Sequence, residues 1–366
     1  MVEAPSTQAA SPSEKRSLFT HFWQGGLLCL VFGLIDNVVL QAGMSFGWVG
    51  LASYLAFGLF VAQTIVLSIL VGLNSRKHWV WWLFFFWSLD LVNLQLILIS
   101  FGKNGYTPEL AFSAFVFAFF AAQLGLIIFW AICGTHPRPK IRLPIAAVAF
   151  AIACHPFWAT NVQPSTSRRW IPLLTLFVVA STLTFAILRF LRFRLGLPIL
   201  AAGESSKDPQ GQFGIKHLFI WTTIVALLFG IGGAVDWESV LEDVLKRDLV
   251  VNLGRTLLVT LSLVAVVWAV MGETKLIVAR IGILLVFLLV IAAGLYFLDL
   301  NSVKNNDSTL AIGWVWINRI TEQQKFDIAR VWVIWTILHG LFLASLLLVF
   351  RFAGFRFFKA AKNQVK

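Results

Sequence analysis

Apolar residues in this chain come in unbroken blocks of roughly 20, the length a helix needs to cross a hydrocarbon core, rather than in the stripes of a water-facing helix. Charged residues make up 13% of the 366 positions and hydrophobic ones 59%, with a mean hydropathy of +0.83. A soluble domain needs about a quarter of its residues charged to cover its surface, so lipid is the expected solvent. A transmembrane β-barrel is excluded, because barrel strands alternate apolar and polar side chains and these blocks do not. The sequence predicts an all-α, polytopic transmembrane helix bundle of about ten spans. They fall at 19–43, 48–72, 78–100, 109–134, 143–160, 170–194, 214–235, 253–272, 275–299 and 328–353. Trp79, Trp81, Trp82, Trp130, Trp158 and Trp170 sit at span ends, where an amphipathic ring settles among headgroups.

The net charge of +12 is spread through short loops, which argues for topology and anionic lipid rather than nucleic acid. With the N-terminus inside, 19 of the 29 Lys and Arg fall on inner segments and 10 on outer ones, so both termini are expected to be cytoplasmic. The expected partners are the bilayer itself and anionic headgroups at the basic cytoplasmic loops, with a further protein partner left open.

Residues 1–17 are polar and lack aromatics, the composition of a disordered cytoplasmic tail. A six-span region (18–194) follows, then a Gly, Ser and Pro linker (195–213), a four-span region (214–353) and a basic cytoplasmic tail (354–366). Within the second region, residues 236–252 place Trp237, Val240, Leu241, Val244 and Leu245 on one stripe, as in a helix lying on the membrane surface. In 300–327 the apolar run of residues 310–317 is too short to span.

No phosphate-binding loop, dinucleotide fingerprint, zinc motif or nucleophile elbow is present, so no catalytic, cofactor-binding or metal residues are assigned and no cofactor is expected. Cys29, Cys133 and Cys154 have no paired spacing and read as buried packing residues. His155 and His339 read as hydrogen-bonded interior residues.

The informative residues are polar ones inside apolar spans. Ile35-Asp36-Asn37-Val38-Val39-Leu40-Gln41 echoes Leu89-Asp90-Leu91-Val92-Asn93-Leu94-Gln95, with four of seven positions identical at an offset of 54. The spans that follow also echo, with Ala62-Gln63 recurring as Ala122-Gln123. This suggests a duplicated two-helix unit and singles out Asp36, Asp90, Asn93, Gln63 and Gln123 as a candidate intramembrane polar cluster. A charged group at mid-bilayer costs about 2.5–3.5 kcal/mol on insertion scales, so such groups face a bundle interior or a wet cavity. The competing explanation is that these side chains simply join helices by hydrogen bonds.

The run Gln212-Phe213-Gly214-Ile215-Lys216-His217-Leu218-Phe219-Ile220-Trp221-Thr222-Thr223-Ile224-Val225-Ala226-Leu227 resembles a segment of uncharacterised bacterial multi-pass membrane proteins. The resemblance covers about 20 residues. It implies a bacterial cytoplasmic membrane and carries no activity. The leading expectation is a non-enzymatic, permease-like pathway for a small solute or ion. A sensory or assembly subunit, and an intramembrane enzyme acting on a lipid-borne substrate, are the alternatives.

Overall fold

The computed structural model describes residues 22–46, 51, 55, 58–66, 110–134, 139–159, 170–191, 193–196, 249–272, 277–304, 322–352 and 355–359. Among these residues the architecture is almost wholly helical. Helix α1 (Phe22–Ser45) and a helical stretch at 58–66 come first. They are followed by α2 (Leu110–Cys133), α3 (Pro139–Ala159), α4 (Trp170–Phe190) and strand β1 (Phe193–Gly196). Then come α5 (Leu249–Met271), α6 (Ile277–Lys304), α7 (Glu322–Phe352) and strand β2 (Arg356–Lys359). The expected spans at 78–100 and 214–235, and the run at 310–317, lie outside the described residues, as does the surface helix before Leu249.

Three helices are long and apolar enough to cross a membrane, at Val250–Met271, Val278–Leu298 and Arg330–Phe352. The middle one turns Val278, Ile283, Val286, Leu289 and Val290 outward. An exposed apolar face of this size suits hydrocarbon and not water, and marks the chain as a membrane protein.

Helix α2 lies at the centre, buried from Ala118 to Ala131, and packs against α3, α4 and α7. A helix apolar all round belongs in such a core. Its aromatic side chains interlock edge-on with neighbours: Phe119 meets Phe60 at 5.3 Å and Phe342 at 5.2 Å. Phe129 meets Phe185 and Phe357.

The packing repeats. Helix α2 touches α3 and α4 as α5 touches α6 and α7, and the two triples meet through α2 on α7 and α5 on α4. The strands that end the triples pair antiparallel, from Phe193↔Lys359 to Gly196↔Arg356, with Phe193 stacked on Phe357 at 5.4 Å. An isolated bridge between Gly134 and Leu195 ties β1 to the end of α2. Residues 356–359 of the expected C-terminal tail are therefore a strand fixed against the bundle.

The C-terminal ends of α2 and α5 are closed by arginines. An α-helix leaves its last carbonyls without intrahelical partners, and a cation is favoured there. Arg142 Nη1 donates to the carbonyls of Gly134 and Trp130, and Arg189 Nη1 to that of Ile132. Arg351 Nη1 donates to the carbonyls of Val270 and Gly272, and the Arg280 guanidinium lies 5.4 Å from the centroid of the Trp268 ring. The C-terminal ends of α2, α4, α5 and α7 thus share one pole.

Candidate functional site

Asp36 lies midway along α1 between turns whose outer positions, Leu30, Leu34 and Val38, are exposed and apolar. Its own side chain points inward and is fully buried. Helical geometry explains the contrast, since Leu34 and Val38 are each two residues, about 200°, from Asp36. The partner is Gln63, whose Nε2 donates to Asp36 Oδ1 at 3.0 Å, on a side chain that is also buried. One turn earlier Phe60 anchors the same stretch against Phe119 of α2.

The pair is incompletely satisfied. Asp36 Oδ2 and Gln63 Oε1 are buried with no hydrogen-bond partner. Both are acceptors, so what this site lacks is a donor, and in a low-dielectric interior each unmet acceptor costs about 1–3 kcal/mol. A proton or a cation is the kind of species such a pair takes up.

Gln123, at the middle of α2, is fully buried, and neither its Nε2 nor its Oε1 has a partner. No hydrogen bond joins it to Asp36 or Gln63. Asp90 and Asn93 lie outside the described residues. Of the three candidate residues among the described ones, Asp36 and Gln63 are joined by a direct contact and Gln123 is not.

A second polar group lies in the other half of the bundle. Ser262 Oγ on α5 sits 3.1 Å from His339 Nδ1 on α7, and the ring of His339 stacks on Trp335 at 5.0 Å. The one hydroxyl hydrogen of Ser262 is donated to Val259 O at 2.7 Å, so the serine oxygen accepts from Nδ1–H. Nε2 then carries a lone pair, and it is buried without a partner among the described residues. Ser181 of α4 and Thr260 of α5 lie 3.4 Å apart, Oγ to Oγ1, on the same interface system. His339 fits the expectation of a hydrogen-bonded interior residue; Ser262 and Thr260 were not singled out, because serine and threonine are ordinary inside spans. His155 lies on α3 with its side chain outside the described set.

No group of three or more His, Cys, Asp or Glu able to hold a metal ion occurs among the described residues. Cys133 is a buried free thiol 3.7 Å from the carbonyl of Phe185.

Comparison with protein-family models, with curated proteins and with solved structures gave no match to this chain.

Proposed function

We propose that the chain is a ten-span, permease-like protein of the bacterial cytoplasmic membrane, with both termini cytoplasmic, and that it passes a proton or small cation by way of the Asp36–Gln63 pair. The observation that carries this reading is the unmet acceptor capacity of the pair. Asp36 Oδ2 and Gln63 Oε1 are buried together in an apolar interior with no donor among the described residues. A carboxyl placed only to join helices would be expected to find donors for both oxygens, since each unmet one costs stability.

The topology has separate support. In a chain that starts inside, the fourth, sixth, eighth and tenth spans all run toward the cytoplasm. The helices at those positions are α2, α4, α5 and α7, whose C-terminal ends share the arginine-rich pole. Arginine at a cytoplasmic pole is the arrangement favoured by the positive-inside rule.

The test uses full-length protein in liposomes loaded with a pH-sensitive dye, with a potassium gradient and valinomycin setting an inside-negative potential. The reading expects acidification faster than in empty liposomes, with loss of the excess rate in Asp36→Asn at unchanged incorporation. If the wild-type protein carries neither protons nor, in parallel isotope assays, sodium or potassium, the proposal fails.

A further inference from the structure

The two packing triples carry matching residues at matching points. Trp130-Ala131-Ile132-Cys133-Gly134 ends α2, and Trp268-Ala269-Val270-Met271-Gly272 ends α5, at an offset of 138. The same offset takes Arg142 to Arg280. At the ends of α4 and α7, Arg189-Phe190 and Phe193-Arg194 correspond to Arg351-Phe352 and Phe355-Arg356 at an offset of 162. The contacts follow the same correspondence. Arg189 donates to Ile132 O and Arg351 to Val270 O, and Ile132 and Val270 are themselves counterparts. Upstream, Lys77-His78 with Trp82 matches Lys216-His217 with Trp221 at an offset of 139. Each half therefore builds its own arginine-closed corner, so the halves serve as internal controls for each other.

One difference between them bears on ligand binding. In the first half the corner holds an open groove of about 410 Å³ between α2, α3 and α4, lined by Ala131, Ile132, Leu143, Ala186, Arg189 and Phe190. In the second half the counterpart of Ala186 is Leu348, a far larger side chain. The groove is apolar along its walls and cationic at its end. Beside it Arg142 is buried to 1% exposure with Nε lacking any partner, and Arg189 makes one hydrogen bond, to Ile132 O. The acidic positions among the described residues are Asp36, Asp299, Glu322 and Asp327. Asp36, whose side chain is described, pairs with Gln63.

We propose that this groove is a specific seat for one anionic phospholipid, whose phosphate meets Arg189 while an acyl chain lies along Leu143, Ala186 and Phe190, with the buried Arg142 adding positive charge from behind the groove. Charge complementarity selects the occupant. A guanidinium at the end of the groove, with donors beyond the one given to Ile132 O and a second buried guanidinium behind it, fits a phosphate oxygen better than a zwitterionic headgroup with its own cation. Shape selects it too, since an open groove with apolar walls admits an acyl chain. The inference rests on the membrane reading of the chain and is independent of the proposed cation path.

The test is native mass spectrometry of the full, delipidated chain in detergent, titrated separately with dioleoyl-phosphatidylglycerol and dioleoyl-phosphatidylcholine. One phosphatidylglycerol adduct is expected at about tenfold lower lipid concentration than any phosphatidylcholine adduct, the preference a charge-assisted contact supplies. Arg189→Gln should erase the preference. Ala186→Leu, which copies the second half and touches no hydrogen bond, should lower the adduct about tenfold with every arginine in place. Arg194→Gln, at an exposed position on β1, should leave it unchanged. Equal uptake of the two lipids, or full phosphatidylglycerol binding by both Ala186→Leu and Arg189→Gln, overturns the seat. Neither result bears on cation flux, which is read in a different assay.

Discussion

Ser262 and His339, 77 residues apart in sequence, share a buried hydrogen bond of 3.1 Å between α5 and α7. The corresponding positions of the first half hold Leu124 on α2 and Phe177 on α4, both buried. The bundle thus accepts an apolar pair at this depth. Its packing does not require an imidazole there.

The correspondence gives a first prediction. The double variant Ser262→Leu/His339→Phe should unfold within about 1 kcal/mol of wild type, because replacing both partners of a buried hydrogen bond by apolar groups is nearly neutral. The single variant His339→Phe removes the serine's donor and should cost about 1 kcal/mol more than the double. Thermal unfolding in a single detergent, followed by intrinsic tryptophan fluorescence, checks the order. A double variant less stable than the single one contradicts it.

At the arginine pole the constraint is steric. A Cβ added at Gly272 would run into Arg280 Nη1 and lie 2.7 Å from Trp268 O, whereas one at Gly282 would meet nothing within 4 Å. Gly272→Ala should therefore destabilise by about 1–3 kcal/mol, the usual cost of overpacking, by displacing the guanidinium from the Trp268 ring. Gly282→Ala, on the exposed face of α6, should be neutral or slightly stabilising, since alanine is the better helix former. Equal unfolding temperatures for the two variants would remove the steric argument.

The membrane class was legible because it depends on composition and block length, which no tertiary contact alters. So was the pole. The basic residues that assign the even-numbered spans to one side include Arg142, Arg189, Arg280 and Arg351, and these four gather there. The pairing of Asp36 with Gln63 was legible as a residue list but not as a contact, because a carboxyl in an apolar span announces that it needs a partner without naming one. The duplication that organises the described helices was harder to see. It is carried by short matches, Trp-Ala-x-x-Gly with a later arginine and Arg-Phe-x-x-Phe-Arg, and its two offsets differ because the segments between them differ in length. Strand β2 escaped notice because Arg356-Phe357-Phe358-Lys359 is four residues long and pairs with a segment 160 or more positions away.

The strand pair yields a further test. Phe357 packs on Phe129 of α2 at 5.6 Å and on Phe193 of β1 at 5.4 Å, so it links the C-terminal strand to the central helix. Phe357→Ala removes both ring contacts, each worth about 0.5–1.5 kcal/mol beyond the buried area. Amide exchange should accelerate at 193–196 and 356–359 while the middle of α2 keeps its protection. Unchanged exchange across the strands would show that backbone pairing alone holds the pole together.

Gln123 allows stability and function to be separated at one position. Its amide is fully buried in α2 with both polar atoms unpartnered, and its counterpart in the second half is Leu261. An unsatisfied buried amide costs about 1–3 kcal/mol, so Gln123→Leu should raise the unfolding temperature. An unsatisfied amide at the centre of a bundle trades stability for a polar contact that a moving ligand can use. The variant should therefore be more stable than wild type and slower in the liposome acidification assay. Asp36→Asn should lose that activity with little change in stability, because asparagine keeps the acceptor that Gln63 uses. A Gln123→Leu protein that is more stable and fully active assigns the glutamine no part in transport, and one that is less stable shows that its amide is satisfied in the membrane.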